Sequence, residues 1–333
     1  MKNGIYIYGI IKTSDPQEFG NIGIGDEATP VQTVVFKDLA AVVSRCPFTV
    51  YDSLAKEKIV KDLVTHQFVL ERVMARFTTI PVKFGTMVES EDEAVKFLVK
   101  GYSLLSAELC KEEEKIELDV VASWELPKML PTIYRYNDQI QIKQREIAHQ
   151  GIKANIEEKI ALGKLIEQAL AATKADYQQL ILHTLKEMTI DTCLHDLADE
   201  QMILNGAFLL EKKNEERFNQ LIESVDLKLQ NAVNFRVVGP LPPYSFSTIL
   251  LEKIDPRKVE EAKEILELEG YLTEKTVRDA YHRLAQQYHP DANSGAEAAR
   301  FPHIHSAYRI LKNFIKNGLM HVEVYHWEKN GTS

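Results

Sequence analysis

Residues 273–311 read TEKTVRDAYHRLAQQYHPDANSGAEAARFPHIHSAYRIL. Val277, Ala280, Tyr281, Leu284 and Tyr288 recur at three- and four-residue spacing, the repeat of one helix face. Thr273 suits the N-cap, although Thr276 stands where a full capping box carries Glu or Gln. The helix is predicted to end at His289, because Pro290 disfavours helical geometry in the residue before it. Residues 293–295 read as a loop. Phe301, Ile304, Tyr308, Leu311 and Ile315 then supply the matching face of a further helix. Two antiparallel helices packed through these stripes would display His289, Pro290 and Asp291 at their turn. Upstream, from Pro256, another helix completes an all-helical C-terminal domain, assigned to residues 253–333.

Working outward, the first third of the chain mixes strands and helices. Residues 5–11 are β-branched and aromatic, between Gly4 and a polar stretch at 13–20, and read as a strand. Residues 31–36 and 39–43 read as two more, joined by Lys37 and Asp38. A long helix begins near Asp52 or Ser53, with a broad apolar stripe from Ile59, Val60, Leu63, Val64, Phe68, Leu70, Val73, Met74 and Phe77. A strand at 78–87, a helix at 91–110 and a strand at 115–126 complete a β, β, β, α, β, α, β order. Interleaving of that kind on one sheet predicts a ferredoxin-like α+β domain over residues 1–128.

Pro127 and Pro131 bracket a predicted joint. Residues 138–188 consist mostly of helix formers, with Ile156, Ile160, Ile166, Leu170, Tyr177, Ile181, Leu185 and Met188 as apolar positions. They predict a helical hairpin broken near Thr173. Strands at 204–211 and 234–238 flank a helix at 215–230, which gives a second small α+β domain with long helices over 129–252.

The 333 residues are 45% hydrophobic and 27% charged, with a net charge of −9. Nearly all of that negative balance falls before residue 255. The acidic character argues against general nucleic-acid binding. No apolar run approaches the roughly 18 residues of a membrane span, so no membrane association is expected. Cys46, Cys110 and Cys193 are far apart and odd in number, as expected of buried thiols in a reducing cytoplasm.

By residue frequency a chance HPD tripeptide has a probability on the order of a few per cent. Here it follows AYHRLAQQY and precedes an F, I, AYRIL pattern. The segment resembles the J-domain of DnaJ-type co-chaperones. The resemblance implies that His289, Pro290 and Asp291, with the cations Lys275, Arg278 and Arg283 of the preceding helix, engage a DnaK-type ATPase chaperone and stimulate it. Pro290 would fix the backbone, Asp291 would offer a charged acceptor, and His289 can donate and accept hydrogen bonds. Tyr281, Leu284, Phe301, Ala307, Tyr308 and Leu311 match core positions of that family. One departure stands out. Glu274 and Asp279 offset the cations of a helix that is usually strongly basic, so electrostatic steering is weaker.

Three further segments form a second resemblance: IYIYGII at the start; THQFVLERVM followed by TIPVKFGTMV, with His66, Glu71, Pro81, Lys83, Phe84 and Gly85; and VGPLPPYSF at 238–246. Together they resemble the gas vesicle protein F/L family over roughly residues 1–250. Leu241 and Lys83 replace a more usual aromatic and arginine. The resemblance implies an accessory protein of gas vesicle formation in the cytoplasm. Its partners would be the hydrophobic, self-associating wall subunit, other vesicle accessory proteins and a DnaK-type chaperone. The alternative is a minor structural component of the vesicle whose J-like segment only docks.

By their own chemistry, Gly239 to Pro243 form a stiff extended exit from a strand, with Tyr244 and Phe246 available to pin it as a structural lid or to meet a client. Lys83 faces either solvent or a partner. His66 reads as a structural hydrogen-bonder. No catalytic motif occurs, so no enzyme activity and no cofactor are expected. The carboxylates at 112–114 and at Glu215 and Glu216 read as solvated faces. His303 and His305, two apart on a helix, point in different directions, no Cys or acidic residue completes a site with them and His289, and His183 and His195 have no better claim, so no metal site is expected.

Overall fold

In the computed structural model the described residues are 3–25, 27–49, 51, 55–150, 156–230, 232–289 and 300–326. They form two compact units. One contains residues 1–70, 81–109 and 249–325; the other contains 71–80, 110–248 and 326–333.

The first unit is built on β1 (Asn3–Lys12), where every apolar residue from Ile5 to Ile11 is at most 3% exposed. Continuous rather than alternating burial marks a strand covered on both faces. β1 pairs antiparallel with β4 (Leu39–Pro47), β4 with β3 (Thr29–Phe36), and β3 with β2 (Glu18–Gly23). Lys37, at φ 55, and Asp38 make the two-residue hairpin between Phe36 and Leu39. β2 lies in the stretch read as polar loop, because its residues are mostly exposed and carry little apolar signal. The strand expected at 78–87 is two short strands, β5 (Thr79–Pro81) and β6 (Met87–Val88), both beside β1. Gly85, at φ +84, turns the chain between them; a side chain there would be strained and would meet the Tyr51 ring.

Helix α1 (Lys56–Met74) divides its apolar residues. Val69, Leu70 and Val73 are buried, but Val60, Leu63, Val64 and Phe68 of the predicted stripe are each 45–62% exposed. The inward positions are taken instead by Asp62 and His66. Helix α2 (Glu91–Lys111) buries Phe97, Leu98, Leu105 and Leu109 as its spacing predicts.

In the second unit, β7 (Lys115–Trp124) lies between β10 (Val233–Leu241) and β9 (Met202–Glu211), with β8 (Asp191–Leu194) at the edge. All these pairs are antiparallel. This corrects the expectation that the strand from residue 115 closes the first sheet. Its alternation was legible, but its partners lie roughly 80 to 120 residues away in sequence, and local patterning carries no pairing information. Ile116, Leu118, Val120 and Trp124 pack with Ile181 and Leu185 of α5 (Ile156–Leu185) and with Phe218, Ile222 and Val225 of α6 (Glu215–Lys228). The Phe208 and Phe218 rings lie 5.5 Å apart in this core.

The expected joint at 127–131 is helix α3 (Leu126–Tyr136), which accepts Pro127 in its first turn, where the missing N–H costs nothing, and holds Pro131 inside. α5 runs unbroken through Thr173, whose hydroxyl donates to the Ala169 carbonyl. The other helix of the pair is α4 (Asp138–Gln150).

The C-terminal part of the first unit contains α7 (Pro256–Ile265), α8 (Glu274–Tyr288) and α9 (Phe301–Asn317) around Val259, Leu266, Val277, Leu284, Ile304 and Leu311. The Tyr281 and Tyr308 rings stack at 4.3 Å. Thr273 caps α8, and Thr276 returns the bond through its hydroxyl, so a capping box closes with Thr in the place of Glu. Two strands attach these helices to the rest of the unit. β11 (Thr248–Lys253) pairs with β12 (Met320–Tyr325), and Ile249 bridges Val82 beside β5. The Lys83 amide donates to the Ile249 carbonyl at 2.9 Å, and Lys253 pairs with Glu89 and Glu93 of the α2 N-terminal region. A Cβ on Gly101 of α2 would come within 2.9 Å of the Val322 side chain on β12.

Gly101 therefore sets how closely β12 lies on α2. Gly101→Leu is expected to destabilise the protein by about 1–3 kcal/mol through overpacking, measured as a lowered midpoint of chemical unfolding. An unchanged midpoint would remove the close approach from the determinants of this junction.

Candidate functional site

On α8, Lys275, Arg278, His282 and Gln286 follow one another at three- and four-residue spacing, and His289 continues the series at the C-cap. All five are exposed, opposite the buried Val277, Ala280 and Leu284. Arg283 borders this face and is also exposed, but its guanidinium is 2.9 Å from Glu267. The face thus carries two cations not drawn into that ion pair, with Glu274 and Asp279 beside them. Pro290 and Asp291 lie outside the described residues. The residues that bracket them do not: the His289 ring meets Phe301 edge-on at 5.3 Å, and the Arg300 guanidinium lies 4.7 Å over the Tyr288 ring and bonds its hydroxyl.

The second cluster surrounds His66. The Gly85 amide donates to the Tyr6 hydroxyl at 3.0 Å, and that hydroxyl also shares a hydrogen bond with His66 Nδ1, 2.9 Å away. Phe84 packs edge-on against both Tyr6 and His66, and Tyr51 donates to Asp62 Oδ2 at 3.1 Å. Tyr8 bonds Ser44 at 2.7 Å and receives the Ile24 amide. Burial lowers the His66 pKa to about 3 and raises that of Tyr8 to about 12; Tyr6 and Tyr51 are also pushed up by burial. The sequence-predicted residues His66, Phe84 and Gly85 are brought together here as packing. Lys83 alone of that string points outward, and it is exposed.

The third cluster is the 238–247 segment. Beyond the cis bond at Gly239–Pro240, the chain turns over the outer face of the second sheet. Glu117 of β7 is 1% exposed there, and its two oxygens accept the Ser245 amide at 2.8 Å and the Ser245 hydroxyl at 2.9 Å. Glu112, also 1% exposed, accepts the Ser247 hydroxyl at 3.0 Å and lies 3.2 Å from Lys111 Nζ. Burial, followed by the charge of Asp119, raises the Glu117 pKa. Phe246 is buried against Cys193, Ala207 and Leu209. The Tyr244 hydroxyl is pushed up in pKa by burial, then by Glu71 and Glu117. Phe246 is buried, which corrects its client-facing role, and Tyr244 is half-buried beside it; together they pin the segment as a structural lid. Glu112 is likewise no solvated carboxylate. Ser245, Ser247 and Glu117 were missed. The one signal was a pair of carboxylates, Glu117 and Asp119, two apart in an otherwise apolar strand, where desolvation demands a partner.

A family model described as gas vesicle synthesis protein GvpL/GvpF matches residues 4–248. The chain belongs to this family. A DnaJ domain matches residues 263–317, over the α8–α9 hairpin. Gas vesicle protein F of Nostoc sp. strain PCC 7120 is 28% identical over 255 residues, which covers 75% of this chain and 100% of that protein. Gas vesicle protein L1 of Halobacterium salinarum is 25% identical over 264 residues, with 74% and 91% coverage. The crystal structure of GvpF from Anabaena sp. PCC7120 is similar at a TM-score of 0.59 and 27% identity, over 73% of this chain and 97% of that one. That of GvpF from Microcystis aeruginosa, at a TM-score of 0.53 and 23% identity, shares the fold. The chain is thus a GvpL/GvpF protein of mixed helix and strand, followed by a helical J-domain. The His66 cluster and the Glu117-bound lid both lie within the GvpL/GvpF part, and each is a packing device of that fold. Among the described residues no group of three His, Cys, Asp or Glu side chains is placed to hold a metal ion, and no helix is long and apolar enough to cross a membrane.

The His66 cluster makes stability depend on pH. Between about pH 6.5 and 3 the unfolded chain takes up a proton at His66 that the folded chain refuses. Stability should fall as pH drops through that window, by about 1.4 kcal/mol per pH unit at most from this group. His66→Gln keeps a hydrogen-bond partner for Tyr6 and cannot titrate. Urea unfolding at several pH values should show a shallower acid slope in the variant; identical slopes would mean that His66 is protonated in the folded state.

Proposed function

We propose that this protein is an accessory factor of gas vesicle assembly that holds the apolar wall subunit and recruits a DnaK-type chaperone to it. The observation that carries the reading is the union, in one chain, of a GvpL/GvpF region over residues 4–248 and a DnaJ domain over 263–317. A small, very hydrophobic, self-associating subunit needs protection from premature pairing and aggregation. A J-domain beside the holder would bring ATP-driven release to the same client. In this reading the exposed Lys275 and Arg278, with His289, Pro290 and Asp291, meet the chaperone. Lys83, exposed on the first unit, is the remaining candidate for client contact among the residues singled out from the sequence. The chain acts as an adaptor in the cytoplasm and at the vesicle, and not as an enzyme.

One observation favours a second reading. Arg283 is drawn into an ion pair with Glu267, which leaves α8 less basic than its proposed partner contact calls for. On that reading the J-domain is a docking module of a minor vesicle component. Washed vesicles separate the two: retention of the chain at fixed stoichiometry would favour the component, and its loss the transient factor.

Asp291→Asn is expected to abolish stimulation of a DnaK-type ATPase by the full-length protein while its circular dichroism stays unchanged. Stimulation equal to wild type would take the turn out of the mechanism. Co-expression should raise the soluble fraction of the wall subunit, and removal of residues 1–250 should abolish the effect. Protection by the J-domain alone would overturn this division of labour.

A further inference from the structure

The apolar face of α5 outruns the core it serves. Ile181 and Tyr177 pack into the second unit's core. On the same face, at steps of seven, three or four residues, come Leu170, Gly163, Ile160 and Ile156. Ile160 is 53% and Ile156 73% exposed, so the stripe continues where the core has ended. Where core and exposed stripe meet, Trp124, Leu126, Gly163, Ile166, Leu170 and Ala171 line a groove of about 610 Å³. Gly163 is its floor on the helix side, and a Cβ there would find nothing within 4 Å. The rim is acidic. Glu167, Asp199 and Glu200 border the groove, against one cation, Lys174, whose ammonium is turned onto the Glu200 carbonyl at 3.2 Å.

We propose that this groove is an interaction surface for a helical apolar segment of a partner chain that carries lysine or arginine beside its apolar residues. The groove volume accepts a few aliphatic side chains, and the acidic rim selects basic neighbours over acidic ones. The proposal deepens the reading of the protein as a holder of an apolar client and rests on it for the client's identity. Helix-in-groove capture would cover apolar positions of the partner that otherwise drive its self-association.

The test uses the full chain and a short fluorescein-labelled amphipathic peptide of leucine and lysine, with a leucine–glutamate peptide of the same apolar face as control. Fluorescence anisotropy should show binding of the lysine peptide and much weaker binding of the glutamate one. Gly163→Leu fills the groove from open space and replaces a mid-helix glycine, so its thermal midpoint should be equal or higher. Its affinity for the lysine peptide should fall about tenfold or more. Glu167→Lys should weaken binding in the same direction without filling the groove. Undiminished binding by Gly163→Leu, or equal binding of the two peptides, overturns the proposal. A dimer in wild type that Gly163→Leu dissolves would give the groove to a second copy and also overturn it. If Gly163→Leu still solubilises the wall subunit, the groove assignment fails while the holder reading stands; if wild type fails to solubilise it, the holder reading itself fails.

Discussion

The second unit depends on the desolvation of two carboxylates. Glu117 and Glu112 are almost wholly removed from water, and an unpaired buried carboxylate costs several kcal/mol. Both Glu117 oxygens accept from Ser245, and Glu112 accepts from Ser247 and pairs with Lys111 and Lys115, which draws the segment after β10 back over the outer face of its own sheet. That return covers Cys193, Ala207 and Leu209 with Phe246, and so gives the sheet a second buried side. β7 can then sit in the middle of the sheet with both faces covered. The family signature around the PPYSF string thus records a solvation problem and its solution.

The first unit solves a similar problem differently. α1 turns Asp62 and His66 inward and much of its apolar surface outward, the reverse of an ordinary amphipathic helix. The inward polar groups are tolerable because Tyr6 and Tyr51 bond them, and because the turn through Gly85 brings a backbone amide to the same place. These buried polar bonds specify one packing of β1, α1 and the turn, where apolar contacts alone would allow several. The J-domain helices join this unit through backbone pairing of β11 and β12, so the α8 face is held by a structured junction and not by a bare linker.

Much was legible from residues alone. The α8 and α9 stripes, the cap at Thr273, the stop before Pro290 and the buried run of β1 all follow from local periodicity and backbone chemistry, because each depends on neighbours within a few positions. His66 was legible as a structural group, since a lone histidine beside an apolar stripe without metal-spaced partners usually serves packing. β2 and β8 escaped notice, because they are edge strands with weak apolar signal. Glu112 was misread because a run of three glutamates has the signature of a solvated turn, and nothing local marks the first as buried.

The sequence by itself determined that a J-domain follows a GvpL/GvpF region, since both rest on short strings whose chemistry is read in place. Only the tertiary structure decided which sheet receives β7, that Phe246 faces inward, and that the apolar face of α5 continues past its core. Those facts turn on which distant segments meet. Strand pairing and desolvation are settled by partners far away in sequence, and no local pattern encodes the partner's identity.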